Sequence, residues 1–232
     1  MIVIGYLVLI GLALAERTPM PETRRVSRPG LVQMTLFFLA GLALAAGALL
    51  DLQPLYGVYL LFAVVGVIIF VVHLAPRLPE VRWFGRGSER FFALSALFIM
   101  ADIALTVYLV VALIAGAFPN GEPPGNLFVA LDHIMFVGVM TNAIFGMIQE
   151  ATRERRAFWP RADDVLFWGM NIGLVGFVVS LLANMEMLES VFTPLMGLSI
   201  LVALVTYALR MRVPGATARI EAEARPADAL RP

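Results

Sequence analysis

Apolar runs separated by short polar breaks cover most of the chain, at about 1–15, 31–50, 56–75, 91–117, 127–148, 165–184 and 190–210. The breaks carry proline and glycine: Pro19, Pro21, Pro29 and Gly30, then Pro54, Pro76 and Pro79, Pro119, Pro123 and Pro124, Pro160, and Pro214 with Gly215. Wound as α-helix at 1.5 Å per residue, every run except the first can cross a hydrocarbon core of roughly 30 Å. The pattern predicts an all-α integral membrane protein, a seven-transmembrane-helix bundle over residues 1–212. Residues 213–232 are rich in Ala, Arg, Glu and Pro, too polar to bury a core, and predict a disordered cytoplasmic tail.

Composition agrees about the solvent. Hydrophobic residues make up 60% of the 232, charged residues only 15%, and the mean hydropathy is +0.87. A water-soluble domain could not hide that much apolar surface, so the expected setting is a bilayer, with the protein multi-pass in the cell (cytoplasmic) membrane.

The charges then orient the bundle. All seventeen basic residues are arginine. Arg17, Arg24, Arg25 and Arg28 follow the first run; Arg77, Arg82, Arg86 and Arg90 the third; Arg153, Arg155, Arg156 and Arg161 the fifth; Arg210, Arg212, Arg219, Arg225 and Arg231 the last. The alternate breaks near Asp51, Pro119 and Met185 have none. The positive-inside bias places the N-terminus outside and the C-terminus in the cytoplasm. The arginines are expected to meet anionic lipid headgroups at the cytoplasmic face, not nucleic acid, and Trp83 and Trp159 beside them read as interfacial anchors.

The first run, ending Ala13-Leu14-Ala15, is short. It also resembles the apolar region and small-residue cleavage site of a signal peptide, but it lacks a basic leading segment, and its removal would leave four arginines outside. A retained short helix is expected; a start position set too far downstream would explain its length equally well.

Polar groups inside the runs are few, and each is costly in hydrocarbon unless it faces protein or water. Asp102 lies mid-run with Ser95 seven before it and Thr106 four after, on one helical face. Asn142 is placed at a similar depth in the next run, close enough to hydrogen-bond Asp102 if the two helices are neighbours, and Asn171 adds to this polar core. Two readings stay open: an interhelical clamp, or a relay for protons or ions.

His133 is six residues inside Leu127, roughly 9 Å below the outer helix end. Positions 137, 140, 144 and 147 share its face, so Met140 and Met147 follow it along an apolar stripe. Such a face suits an imidazole offered to a flat hydrophobic cofactor. It equally suits a histidine paired with Asp132 or a carbonyl, with the methionines as packing. The opposite face carries Gly138, Asn142 and Gly146, and the following run carries Gly169, Gly173 and Gly176, spacings that let helix backbones approach closely. The other histidine, His73, ends the third run and reads as interfacial.

The order His133, a Met-rich run to Gly146, the loop Phe158-Trp159-Pro160, Asp163-Asp164 and Phe167-Trp168 resembles the second-to-third helix region of haem-copper oxidase large subunits. It is also similar to related haem-binding membrane proteins of nitric oxide metabolism. The resemblance covers residues 127–182. It implies haem b on His133, a role in respiratory electron transfer or as an oxidase accessory, and a respiratory-complex or homodimer partner. It departs from those oxidases in having only His73 besides His133, too few for their copper and oxygen-reducing haem, so a complete terminal oxidase is excluded. The two histidines also fall towards opposite membrane faces. The second axial ligand would then be Met185 or Met187 of the outer loop, or His133 of a second copy.

Against the haem reading stands a cofactor-free bundle that transports, senses or scaffolds around Asp102 and Asn142. Other chemistry finds no foothold. There is no cysteine for disulfides or thiolates, no lysine for a retinal Schiff base, and no phosphate-loop, H-E-x-x-H or G-x-S-x-G motif.

Overall fold

The computed structural model describes residues 28–153, 155, 159 and 161–212. Within them it has six helices long and apolar enough to cross a membrane: α1 (Arg28–Leu50), α2 (Gln53–Leu74), α3 (Glu89–Ile114), α4 (Gly125–Ala151), α5 (Ala162–Leu182) and α6 (Glu186–Arg212). No strand occurs among the described residues. The expected helix at 1–15 and the tail at 213–232 lie outside them, as do Arg17, Arg24, Arg25, Arg156, Phe158 and Pro160.

Each span begins two to four residues earlier than its apolar run. Helix starts accept what the apolar pattern rejects: Pro29 and Pro54 sit in first turns, where their missing N–H is no loss. Glu89, Asp163, Asp164, Glu186 and Glu189 occupy the first turns of α3, α5 and α6, where carboxylates complement the helix dipole. A proline, Pro194, lies inside α6. Two one-turn hairpins close on residues with positive φ, Asp51 (52°) between α1 and α2 and Asn184 (55°) between α5 and α6. Asn and Asp are the non-glycine residues that best tolerate this conformation.

The order of packing follows the chain. α1 lies against α2, α2 against α3, α3 against α4, α4 against α5, and α5 against α6. One core runs through α3, α4, α5 and α6, with Phe91, Ile99, Val139, Leu166, Phe167, Met170 and Leu174 fully or almost fully buried. The α1–α2 hairpin meets through a smaller cluster of Ala40, Ala43, Tyr59 and Ala63. Large apolar side chains face outward all round, among them Leu49, Leu61, Val72, Leu198 and Val205, a surface that only lipid can solvate.

The glycine stripes mark the tightest contacts. On α5, a Cβ added at Gly173 would stand 2.7 Å from the backbone nitrogen of Met196, so the α5 and α6 backbones approach as closely as glycine allows. On α4, a Cβ at Gly138 would come within 2.6 Å of the Phe98 ring on α3.

The spans also sort the charges. Reading alternately up and down, Arg28, Arg77, Arg82, Arg86, Arg90, Arg153, Arg155, Arg161, Arg210 and Arg212 all fall at one end of the bundle, called here the arginine end. The tight turns at Asp51 and Asn184 and the segment Pro119–Gly121 fall at the other.

Candidate functional site

The middle of α4 is not α-helical. Gly125–His133 winds as α-helix, Ile134–Thr141 as π-helix, and Asn142–Ala151 as α-helix again. A π turn hydrogen-bonds from i to i+5 and is rare, short and often placed where a helix does chemistry or packs around something. The side chains around this stretch satisfy its carbonyls. Ser95 of α3 donates to Val139 O (2.9 Å), Thr141 Oγ1 to Phe136 O (2.8 Å), and Asn142 Nδ2 to Gly138 O (2.8 Å). His133 and Asn142, both marked by the sequence, bracket the π segment.

Asn142 faces α5 and forms a reciprocal amide pair with Asn171. Asn142 Nδ2 donates to Asn171 Oδ1 at 2.7 Å, Asn171 Nδ2 returns a bond to Asn142 Oδ1 at 3.1 Å, and Asn171 Nδ2 also donates to Phe167 O at 2.7 Å. Both amides are buried and every N–H has an acceptor, which is the condition for a polar pair to be tolerated inside a bundle.

The expected bond between Asn142 and Asp102 is not made. Asn142 lies nine residues from the end of α4 at Ala151, and Asn171 nine from the start of α5 at Ala162, whereas Asp102 lies thirteen from Glu89. At 1.5 Å per residue the two asparagines are level and Asp102 is about 6 Å deeper. The polar stripe on α3 does hold: Ser95, Asp102 and Thr106 are all buried on one face. Thr106 Oγ1 bonds the backbone oxygen of Asp102 (2.9 Å), but no described residue donates to the Asp102 carboxylate. Tyr59 of α2 and Asp132 of α4 are near enough to interact with it electrostatically.

His133 is half-buried. Of its two expected partners it takes the carbonyl: ring Nδ1–H donates to Val129 O at 2.8 Å, and Nε2 has no partner among the described residues. Its ring packs 4.6 Å from that of Phe177 on α5, while Asp132 points outward. The stripe below it runs along the outer side of the bundle, with Val137 and Met140 half-buried and Ile144 and Met147 exposed. Met185 and Met187 are exposed at the α5–α6 turn, also away from the arginine end. His73 ends α2 at the arginine end, so the two histidines of a protomer stand towards opposite ends. Among the described residues no three His, Cys, Asp or Glu side chains group as a metal site.

The strongest ionic feature lies where only loop charges were expected. At the arginine end Arg90 is completely buried; Nη1 pairs with Asp164 (2.9 Å), Nη2 donates to Asp163 O (3.0 Å), and the guanidinium lies 4.5 Å from the centre of the Phe167 ring. Arg210 of α6, also buried, reaches both carboxylate oxygens of Asp163 at 3.1 Å. Arg86 adds a partly exposed partner to Asp164 at 3.5 Å, and Gln149 Nε2 of α4 donates to Arg86 O (2.7 Å). Asp163 and Asp164 thus tie α3 and α6 to the first turn of α5. No family model, curated protein or solved structure matches this chain.

Proposed function

We propose that this multi-pass membrane protein handles protons, with Asp102 as the group that gains and loses them. The observation that supports this is a carboxyl group only 4% exposed in the middle of a span, accepting no hydrogen bond among the described residues. A carboxylate in that setting is costly, so a change in its charge must be coupled to a change in packing or hydration, which is the working part of a proton-linked transporter or sensor. Asp132 is exposed on α4 about 10 Å from the outer helix end, and Asp102 about 18 Å from the outer end of α3. The pair forms a short descent from the side opposite the arginines. With the arginine end in the cytoplasm, as the positive-inside bias directs, that side is external.

Infrared difference spectra of the protein in liposomes, taken between acid and alkaline pH, test this directly. The expected result is a protonated-carboxyl band that Asp102→Asn removes while thermal unfolding stays close to wild type. Identical spectra for wild type and Asp102→Asn would end the proposal.

A second reading is favoured by one observation, the Val129 carbonyl that holds His133 Nδ1 and leaves Nε2 free. That is how a protein presents an imidazole to a metal. A haem b would be held by His133, with Met140 beside it and Met185, Met187 or His133 of a second copy as a further ligand. It would supply electron transfer in or beside a respiratory complex. Expression with ample haem should then give a Soret band that His133→Ala abolishes and His73→Ala keeps; a colourless wild type sinks this reading and leaves the first intact.

A further inference from the structure

We infer that the outer face of α6 near the arginine end retains one anionic phospholipid. A groove of about 390 Å³ runs there, walled by Leu201, Val202, Val205, Thr206 and Leu209 of α6 and closed by Trp159 from the α4–α5 connection. Its only polar lining groups are the indole N–H and the Thr206 hydroxyl, and that hydroxyl already bonds Val202 O (2.7 Å). From Leu201 to Leu209 the groove follows α6 for about 12 Å, a length and chemistry that fit an acyl chain. Leu201 and Val205 are more than half exposed, so this face meets lipid and not the bundle core.

The headgroup end is what makes the occupant anionic. Arg212 follows Leu201 and Val205 at eleven and seven residues, spacings that return to the same side of a helix. Arg155 is fixed beside it by a bond from Nη1 to Met211 O (2.6 Å), and Arg161 is two residues from Trp159. Asp163 and Asp164 are already engaged by Arg210, Arg90 and Arg86. No carboxylate pairs with Arg155, Arg161 or Arg212 among the described residues. Three cations without counter-charge thus surround the interfacial end of an apolar groove, with a tryptophan at the headgroup level.

The test uses Trp159 as reporter, in a Trp83→Phe, Trp168→Phe background, in phosphatidylcholine liposomes containing a minor share of chain-brominated phosphatidylglycerol or chain-brominated phosphatidylcholine. The brominated phosphatidylglycerol should quench Trp159 preferentially, and the preference should fall roughly fivefold for each of Arg161→Gln and Arg212→Gln. Leu201→Phe with Val205→Phe, which fills the groove, should lessen quenching by both lipids. Because Trp168 packs against the core, wild-type protein is measured in parallel by native mass spectrometry, where one phosphatidylglycerol should stay bound after phosphatidylcholine is stripped. Equal quenching and equal retention of the two lipids would reduce the groove to ordinary lipid contact and overturn the inference, as would a preference that survives both arginine substitutions.

Discussion

Asp163→Leu is expected to destabilise the protein by about 3–5 kcal/mol, the cost of leaving a buried charge without its partner. Arg210 is nearly inaccessible, and both of its hydrogen bonds from Nη2 go to the Asp163 carboxylate. A leucine would leave the buried guanidinium against the Tyr207 ring without its carboxylate partner. Adding Arg210→Leu should recover most of the loss, because removing both members of a buried ion pair removes the uncompensated charge as well. Asp164→Leu should be costly too: although Asp164 is one-third exposed, its loss leaves the fully buried Arg90 with only its bond to the Asp163 carbonyl. Unfolding in mixed micelles, followed by helicity, compares these three variants with wild type. If Asp163→Leu unfolds with wild type, the cluster does not hold the arginine end together.

The asparagine pair should behave in the same way on a smaller scale. Asn142→Leu removes the partner of both the oxygen and one N–H of Asn171, and also withdraws the bond to Gly138 O at the exit of the π segment. The expected loss is about 1–2 kcal/mol. The double change Asn142→Leu, Asn171→Leu should lose less than the sum of its single members, since apolar groups of similar shape leave nothing unsatisfied. A double-mutant cycle on unfolding free energies reads this coupling, and strict additivity would show that the pair contributes no interaction of its own.

The spans were legible because their signal is redundant: length, apolarity and breaks that carry proline all agree. Their ends were less so, because Pro29, Pro54, Asp163 and Glu186 break the apolar pattern yet are favoured in first turns. The two faces of α4 were readable from spacing, with Ile144 and Met147 outward and Gly138, Asn142 and Gly146 inward, and so were the glycines of α5. The partner of Asn142 was not. Depth counted from apolar run boundaries put Asp102 level with it, an error of about four residues that the helix ends correct. The π winding had no sequence signal, and its carbonyls are satisfied by Ser95, Thr141 and Asn142, residues that serve as easily in an α-helix. The ionic cluster was hidden for a different reason. Arg90 and Arg210 read as interfacial charges like the other arginines, and only the acid pair Asp163-Asp164 set among basic loops hinted that some would be neutralised inside.

The glycine contact between α5 and α6 also decides what can move. With no room for a methyl group between Gly173 and the Met196 backbone, these two helices form a single stiff lever. The lever is joined to α3 by charge at the arginine end, and to α4 both by the amide pair near mid-height and by Asn126, which donates to Leu181 O and Asn184 Oδ1 at the far end. Salt acts on these joints unequally: ions added on the arginine side weaken the partly exposed Arg86–Asp164 contact, while the buried Arg90–Asp164 pair and the buried amides are little affected. Ionic strength on the arginine side therefore trims only the exposed edge of the α3 joint, and the lever stays fixed to α4 at two heights.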